Sequence, residues 1–197
     1  MAPFYPALML DELLDACRRN DLERVKSLVT ADPTLLHRQA ATGETPLLTA
    51  LYHRSGDTTA WLGEQRWPRT VFEAAAVDDT QRLGEILAGD PSTGDTYSLD
   101  GWTPLHLAAF FGAAQAAASL LSHGADPRRI ARNTMANTPL HAALAAKRLP
   151  LVELLLDAGA DPLLECEGYT PLAIAESGKF EDGAALVRRA IADGATS

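Results

Sequence analysis

The sequence predicts an all-α fold, a solenoid of about six stacked helix–turn–helix repeats with β-hairpin-like finger loops along one side. Three observations carry this. The string Thr-Pro-Leu recurs at Thr45, Thr103, Thr138 and Thr170, the last three at steps of one helix-pair unit. Hydrophobic residues make up 47% of the chain but aromatic ones only 6%, so alanine and leucine, the strongest helix formers, carry the packing. Apolar runs end in glycine, at Gly124-Ala125-Asp126 and Gly159-Ala160-Asp161, where a left-handed residue stops a helix.

The first copy, about residues 8–40, is recognised by register. Leu13-Leu14-Asp15-Ala16-Cys17 lines up with Leu47-Leu48-Thr49-Ala50-Leu51, and Leu22 to Val29 has apolar residues at helical spacing. Asp11, Arg18, Arg19 and Asn20 supply the polar face that the end of a stack needs. The second copy, about 41–67, has helices at Pro46–His53 and about Thr58–Gln65. Arg66-Trp67-Pro68-Arg69 then runs almost directly into Val71, which leaves no room for a finger. One finger is therefore expected to be missing, its gap plugged by Trp61 or Trp67. The third copy, about 68–98, lacks Thr-Pro-Leu, but Val71 to Ala76 matches Leu105 to Phe110 and Leu83 to Leu87 matches Ala117 to Leu121. Copies four and five, about 99–133 and 134–165, follow the strong pattern, and copy six, about 166–195, opens on Thr170-Pro171-Leu172. Arg188, Arg189 and Asp193 intersperse the last helix with charge, as a terminal cap requires. Together the copies make one repeat domain over residues 1–197.

Each motif residue has a physical task. Threonine caps the first helix through its hydroxyl, and proline fits the first helical position, where no amide partner is needed. Leucine and the alanines face neighbouring helices, and the alanines allow close approach. Asp126-Pro127 and Asp161-Pro162 start the turn into an extended finger. One helix pair cannot bury its own apolar face, so stacking supplies the core.

Gly101-Trp102-Thr103-Pro104-Leu105-His106-Leu107-Ala108-Ala109, then Leu120-Leu121, then Gly124-Ala125-Asp126, resembles the ankyrin-repeat pattern. Thr138-Pro139-Leu140-His141-Ala142-Ala143, Leu154-Leu155-Leu156 and Gly159-Ala160-Asp161 repeat it. The overall register, finger-less second copy included, also resembles stand-alone ankyrin proteins common in bacteria. The resemblance implies that His106 and His141 are structural, each ring bonding locally and tying adjacent repeats together. It further implies a protein–protein interaction module that binds through a concave surface of finger tips and first-helix ends.

Composition narrows the rest. A net charge of −9 repels a phosphate backbone, so nucleic acid is not an expected partner. Cys17 and Cys166 form no zinc pattern and fit a reducing compartment. Cys17 stands at an alanine position and is expected buried, Cys166 in a finger and exposed. No signal peptide is read at the N-terminus and no apolar run is long enough to span a membrane, so a cytoplasmic location is expected. His37, His53 and His123 have no ligand spacing, and no nucleophile or nucleotide motif appears; no catalysis, metal or cofactor is expected. Arg128, Arg129 and Arg132 read as a solvated finger strand, with an acidic partner or a phosphate as the other reading.

The expected partner-binding residues are Tyr52, Leu99, Trp102, Phe110, Phe111, Met135 and Tyr169, which the register places at finger tips and first-helix ends. Aromatic and methionine side chains are enriched at interface centres. The small Ala145 and Ala146 leave a hollow beside them. A monomer is expected. The alternatives are a regulatory or inhibitory subunit that occludes an enzyme's active site and, more remotely, an enzyme with an unrecognised site.

Overall fold

In a computed structural model, residues 5–65 and 67–194 are described. Met1–Phe4, Arg66 of the short linker, and residues 195–197 at the end of the sixth copy lie outside them. The described residues hold twelve α-helices in six consecutive pairs and no β-strand. The chain divides into two compact units, Met1–Arg69 and Thr70–Ser197.

The first unit contains α1 (Tyr5–Arg18), α2 (Leu22–Ala31), α3 (Pro46–Tyr52) and α4 (Gly56–Glu64). α1 packs on α2 and α3, and α4 on α2 and α3. Leu13, Leu14, Val25, Leu47 and Leu62 fill the space between them, and Cys17 is buried there as its alanine register requires. Asp21 caps α2 and Thr45 caps α3 through their side chains.

The second unit contains α5 (Val71–Ala76), α6 (Thr80–Gly89), α7 (Pro104–Phe111), α8 (Ala114–Ser122), α9 (Pro139–Ala145), α10 (Leu149–Asp157), α11 (Pro171–Ser177) and α12 (Glu181–Gly194). The inner helices α5, α7, α9 and α11 pack in that order, and the outer helices α6, α8, α10 and α12 do the same. Alanines at 74, 75, 108, 109, 142 and 143 are buried where the inner helices meet. Thr103 and Thr170 cap their helices as expected, and Thr70, in the copy without Thr-Pro-Leu, also caps, in a capping box with Glu73. Thr138 does not: its hydroxyl lies 2.7 Å from His141 Nδ1 and is spent on the ring instead of an amide.

Two features go beyond the sequence reading. Asp32-Pro33 and Asp90-Pro91 open short 3-10 helices, Pro33–His37 and Pro91–Asp95, each started by the aspartate accepting from the amide two residues on. The turn inside a helix pair also caps the next pair. Asn20, at φ 55°, accepts from the Thr58 amide at 3.1 Å, and Asp78, at φ 59°, accepts from the Ala116 amide at 2.6 Å. These short polar side chains tolerate the left-handed turn and satisfy an orphan donor at the second helix of the following pair.

The missing finger is present as an absence of chain: only residues 65–70 separate α4 from α5. Trp67 is half-buried there, with the Arg69 guanidinium 5.0 Å from its ring centre. The boundary between the two units falls at this linker.

Candidate partner-binding surface

Each finger of the second unit is a tight turn closed by backbone hydrogen bonds. Ser98 N–H donates to the Trp102 carbonyl at 2.8 Å, and Ala131 N–H to that of Asn137 at 2.8 Å. Cys166 and Tyr169 exchange both bonds, a single bridge with Glu167 (φ 46°) and Gly168 (φ 82°) between them. Two positive φ values in a two-residue loop make this a type I′ turn, whose twist suits a hairpin. Gly101, at φ 84°, is required by space as well. A Cβ there would stand 2.5 Å from the Arg132 carbonyl oxygen, which accepts nothing from Gly101 but belongs to the next finger.

The first two fingers of this unit are tied to each other. Arg132 N–H donates to the Gly101 carbonyl at 2.8 Å, Asn133 Nδ2 to that of Asp100 at 3.0 Å, and the Tyr97 hydroxyl to that of Ile130 at 3.1 Å. The histidines hold the fingers from below. His106 is fully buried; its Nε2 lies 2.9 Å from the Asn137 carbonyl, an acceptor, so Nε2 carries the proton. Bare Nδ1 then accepts from the Thr103 hydroxyl at 2.8 Å and the Thr103 amide at 3.3 Å. His141 repeats this, with Thr138 below and the Tyr169 carbonyl 3.2 Å above. Burial, partly offset by the bond to Asn137, holds the His106 imidazolium at a pKa down to about 4, and burial lowers His141 as well. Both rings are neutral ties, as the resemblance implies.

On this frame Leu99 is 67% exposed, Met135 53% and Tyr169 59%, one on each of three consecutive fingers. Met135 is presented by an Asx turn, its amide donating to Asn133 Oδ1 at 3.0 Å. Ile130 and Leu163 are exposed too, and sequence reasoning missed both; the available signal was an apolar residue shortly after Asp-Pro in a solvent loop. Tyr52 is also exposed but belongs to the first unit.

Trp102 corrects the expected surface: it is only 4% exposed. Its ring sits 5.4 Å from Phe110 in an edge-to-face contact and 5.8 Å from His106, so it roofs the buried histidine instead of facing a partner. Phe110 and Phe111 are half-buried, 5.2 Å apart and edge to face. Ala145 is exposed and Ala146 half-buried. Cys166 is a second correction: it is buried, and burial raises its thiol pKa, as it pushes that of Cys17 up to about 12. The finger arginines are engaged. Arg128 pairs with Asp126 and Arg129 with Asp95, each at 3.4 Å, and Arg132 lies 4.0 Å above the Tyr97 ring.

Among the described residues, no group of three or more His, Cys, Asp or Glu side chains is placed to hold a metal ion. No described helix is long and apolar enough to cross a membrane.

A family model described as ankyrin repeats (3 copies) matches residues 13–130 and 71–166. The chain is 35% identical over 135 residues to the neurogenic locus Notch protein of Drosophila melanogaster, covering 68% of this chain and 5% of that one. It is 34% identical over 147 residues to neurogenic locus notch homolog protein 4 of Homo sapiens, 71% of this chain and 6% of that one. It is 37% identical over 107 residues to zinc finger CCCH domain-containing protein 67 of Oryza sativa subsp. japonica, 48% and 17%. The matched stretch is thus a small part of each of these relatives.

Proposed function

Because the chain belongs to the ankyrin-repeat family, whose repeats are protein–protein interaction modules, we propose that it recognises a partner protein through the finger row of its second unit. One observation carries this. Among the described residues of that unit, the exposed large hydrophobic side chains, Leu99, Ile130, Met135, Leu163 and Tyr169, all lie on fingers and none on a helix. Apolar side chains gathered on one structural feature mark an interaction site more than scattered ones do. Hydrogen bonds between the first two of these fingers hold the backbone around Leu99 and Ile130 in place before a partner arrives, which lowers the entropic cost of binding there.

The chain has no chemistry of its own in this account; its action is recognition, in a reducing compartment such as the cytoplasm. Two free, buried thiols fit that setting. The test replaces Leu99, Met135 and Tyr169 together by alanine. Partners captured by the parent chain from its source cell are identified by mass spectrometry and compared with those of the variant. Loss of capture with an unchanged melting temperature is expected. Full retention of every partner by a folded variant overturns the proposal.

A further inference from the structure

The finger row carries a distinct pattern of charge. The middle finger holds Arg128, Arg129 and Arg132: the first two pair with Asp126 and Asp95, each at 3.4 Å, and Arg132, exposed, keeps its positive charge with its head group over the Tyr97 ring. The last finger is different. Glu165 precedes its turn and Glu167 is the first residue of the turn, both exposed, and neither takes part in an ion pair among the described residues. Tyr169, exposed beside them, offers an aromatic face, the surface on which a Lys or Arg head group is also held. A partner that covers Tyr169 takes both carboxylates out of full solvation. A cation from the partner offsets that cost more fully than a neutral donor does, and a second carboxylate adds to it. Toward the neighbouring fingers the exposed tips are Met135 and Leu99, which ask for apolar side chains.

Taking recognition through the fingers as given, we infer that the occupant is an apolar segment of a partner protein bearing lysine or arginine, its positive side chains over Tyr169, Glu165 and Glu167 and its apolar ones against Met135 and Leu99. An acidic partner, drawn by the arginine finger, is the opposite outcome.

The full chain is titrated with three fluorescent decapeptides: alternating leucine and lysine, alternating leucine and glutamate, and alternating serine and lysine. Anisotropy reads the binding. The leucine–lysine peptide is expected to bind about tenfold or more tighter than either of the others. Glu165→Lys with Glu167→Lys is expected to weaken it by about tenfold. Glu153→Lys with Asp157→Lys, the same change in net charge on the outer helix α10, is expected to leave it within about twofold. Preference for the leucine–glutamate peptide, equal binding of the serine–lysine peptide, equal effects of the two charge reversals, or no binding by the leucine–lysine peptide overturns the inference. The two levels separate cleanly. If L99A/M135A/Y169A abolishes binding while E165K/E167K does not, finger recognition stands and the basic partner falls. If the triple variant binds like the parent, finger recognition itself falls. Thermal melts of each variant confirm that the fold is intact.

Discussion

His106 donates its Nε2 proton to the carbonyl of Asn137, 2.9 Å away and in the finger of the following helix pair. The same ring accepts from Thr103, the cap of its own helix. One side chain thus joins a helix start, a finger and the neighbouring repeat, with no contact to water.

His106→Ala removes these bonds and strands the Thr103 amide and hydroxyl proton in the interior, while the Asn137 carbonyl keeps only its bond from the Ala131 amide. The expected loss is about 2–4 kcal/mol, from the unpaired polar groups and the cavity together. A thermal melt checks it. An unchanged melting temperature contradicts the role of the ring as a tie.

The pH dependence follows from the same burial. The folded His106 value, about 4, lies below the ordinary 6.5. Between these values the unfolded chain binds the proton and the folded chain does not. The stabilisation is therefore complete above about pH 6.5 and is lost as pH falls toward 4, by an amount on the order of 3 kcal/mol. His141 shifts in the same direction and adds to the loss. Urea unfolding at pH 7 and pH 5 measures the fall, and His106→Gln is expected to reduce it.

Two glycines with similar backbone angles should respond differently to alanine. Gly101→Ala meets the Arg132 carbonyl oxygen at 2.5 Å as well as the cost of φ 84°, whereas at Gly124, φ 92°, nothing lies within 4 Å of the added carbon. Gly124→Ala is expected to cost about 1–2 kcal/mol, the left-handed penalty alone. Gly101→Ala should cost clearly more and loosen the finger bearing Leu99, seen as faster amide exchange at Arg132.

The cap supplied by Asp78 to α8 is testable by a pair of variants. Asp78→Asn keeps an acceptor and a side chain at ease in the left-handed region, so stability should change by less than about 0.5 kcal/mol. Asp78→Ala loses the bond to the Ala116 amide and strains the turn, and about 1–2 kcal/mol is expected to go. Equal melting temperatures for the two variants would rule the cap out.

Much of the fold was legible because its motif residues act locally. Thr103 caps a helix three residues on, Pro104 needs no partner, and Gly124 ends its helix by its own backbone angle. The short linker after α4 was legible for the same reason: the residues to build a finger are not there. The candidate site was read less well. Leu99, Met135 and Tyr169 stand exposed where the register placed them at finger tips. Trp102 lies in the same finger and was expected beside them, but Phe110, a full helix away, gives its ring a contact inside. Cys166 was expected in solvent and is buried. The Asp-Pro pairs at 32 and 90 share their two residues with those at 126 and 161, yet among the described residues only the first two continue into 3-10 helices.

By itself the sequence determined the helix pairs, their caps and stops, and the place of the missing finger, because these depend on residues within a turn or two of each other. The tertiary structure alone decided which finger side chains meet solvent and which charges remain unmatched. Arg129 pairs with Asp95 and Arg132 lies over the Tyr97 ring, both partners coming from the preceding repeat, while Glu165 and Glu167 take part in no ion pair among the described residues. Burial and pairing are properties of neighbours in space, and the stacking of one helix pair on the next chooses those neighbours.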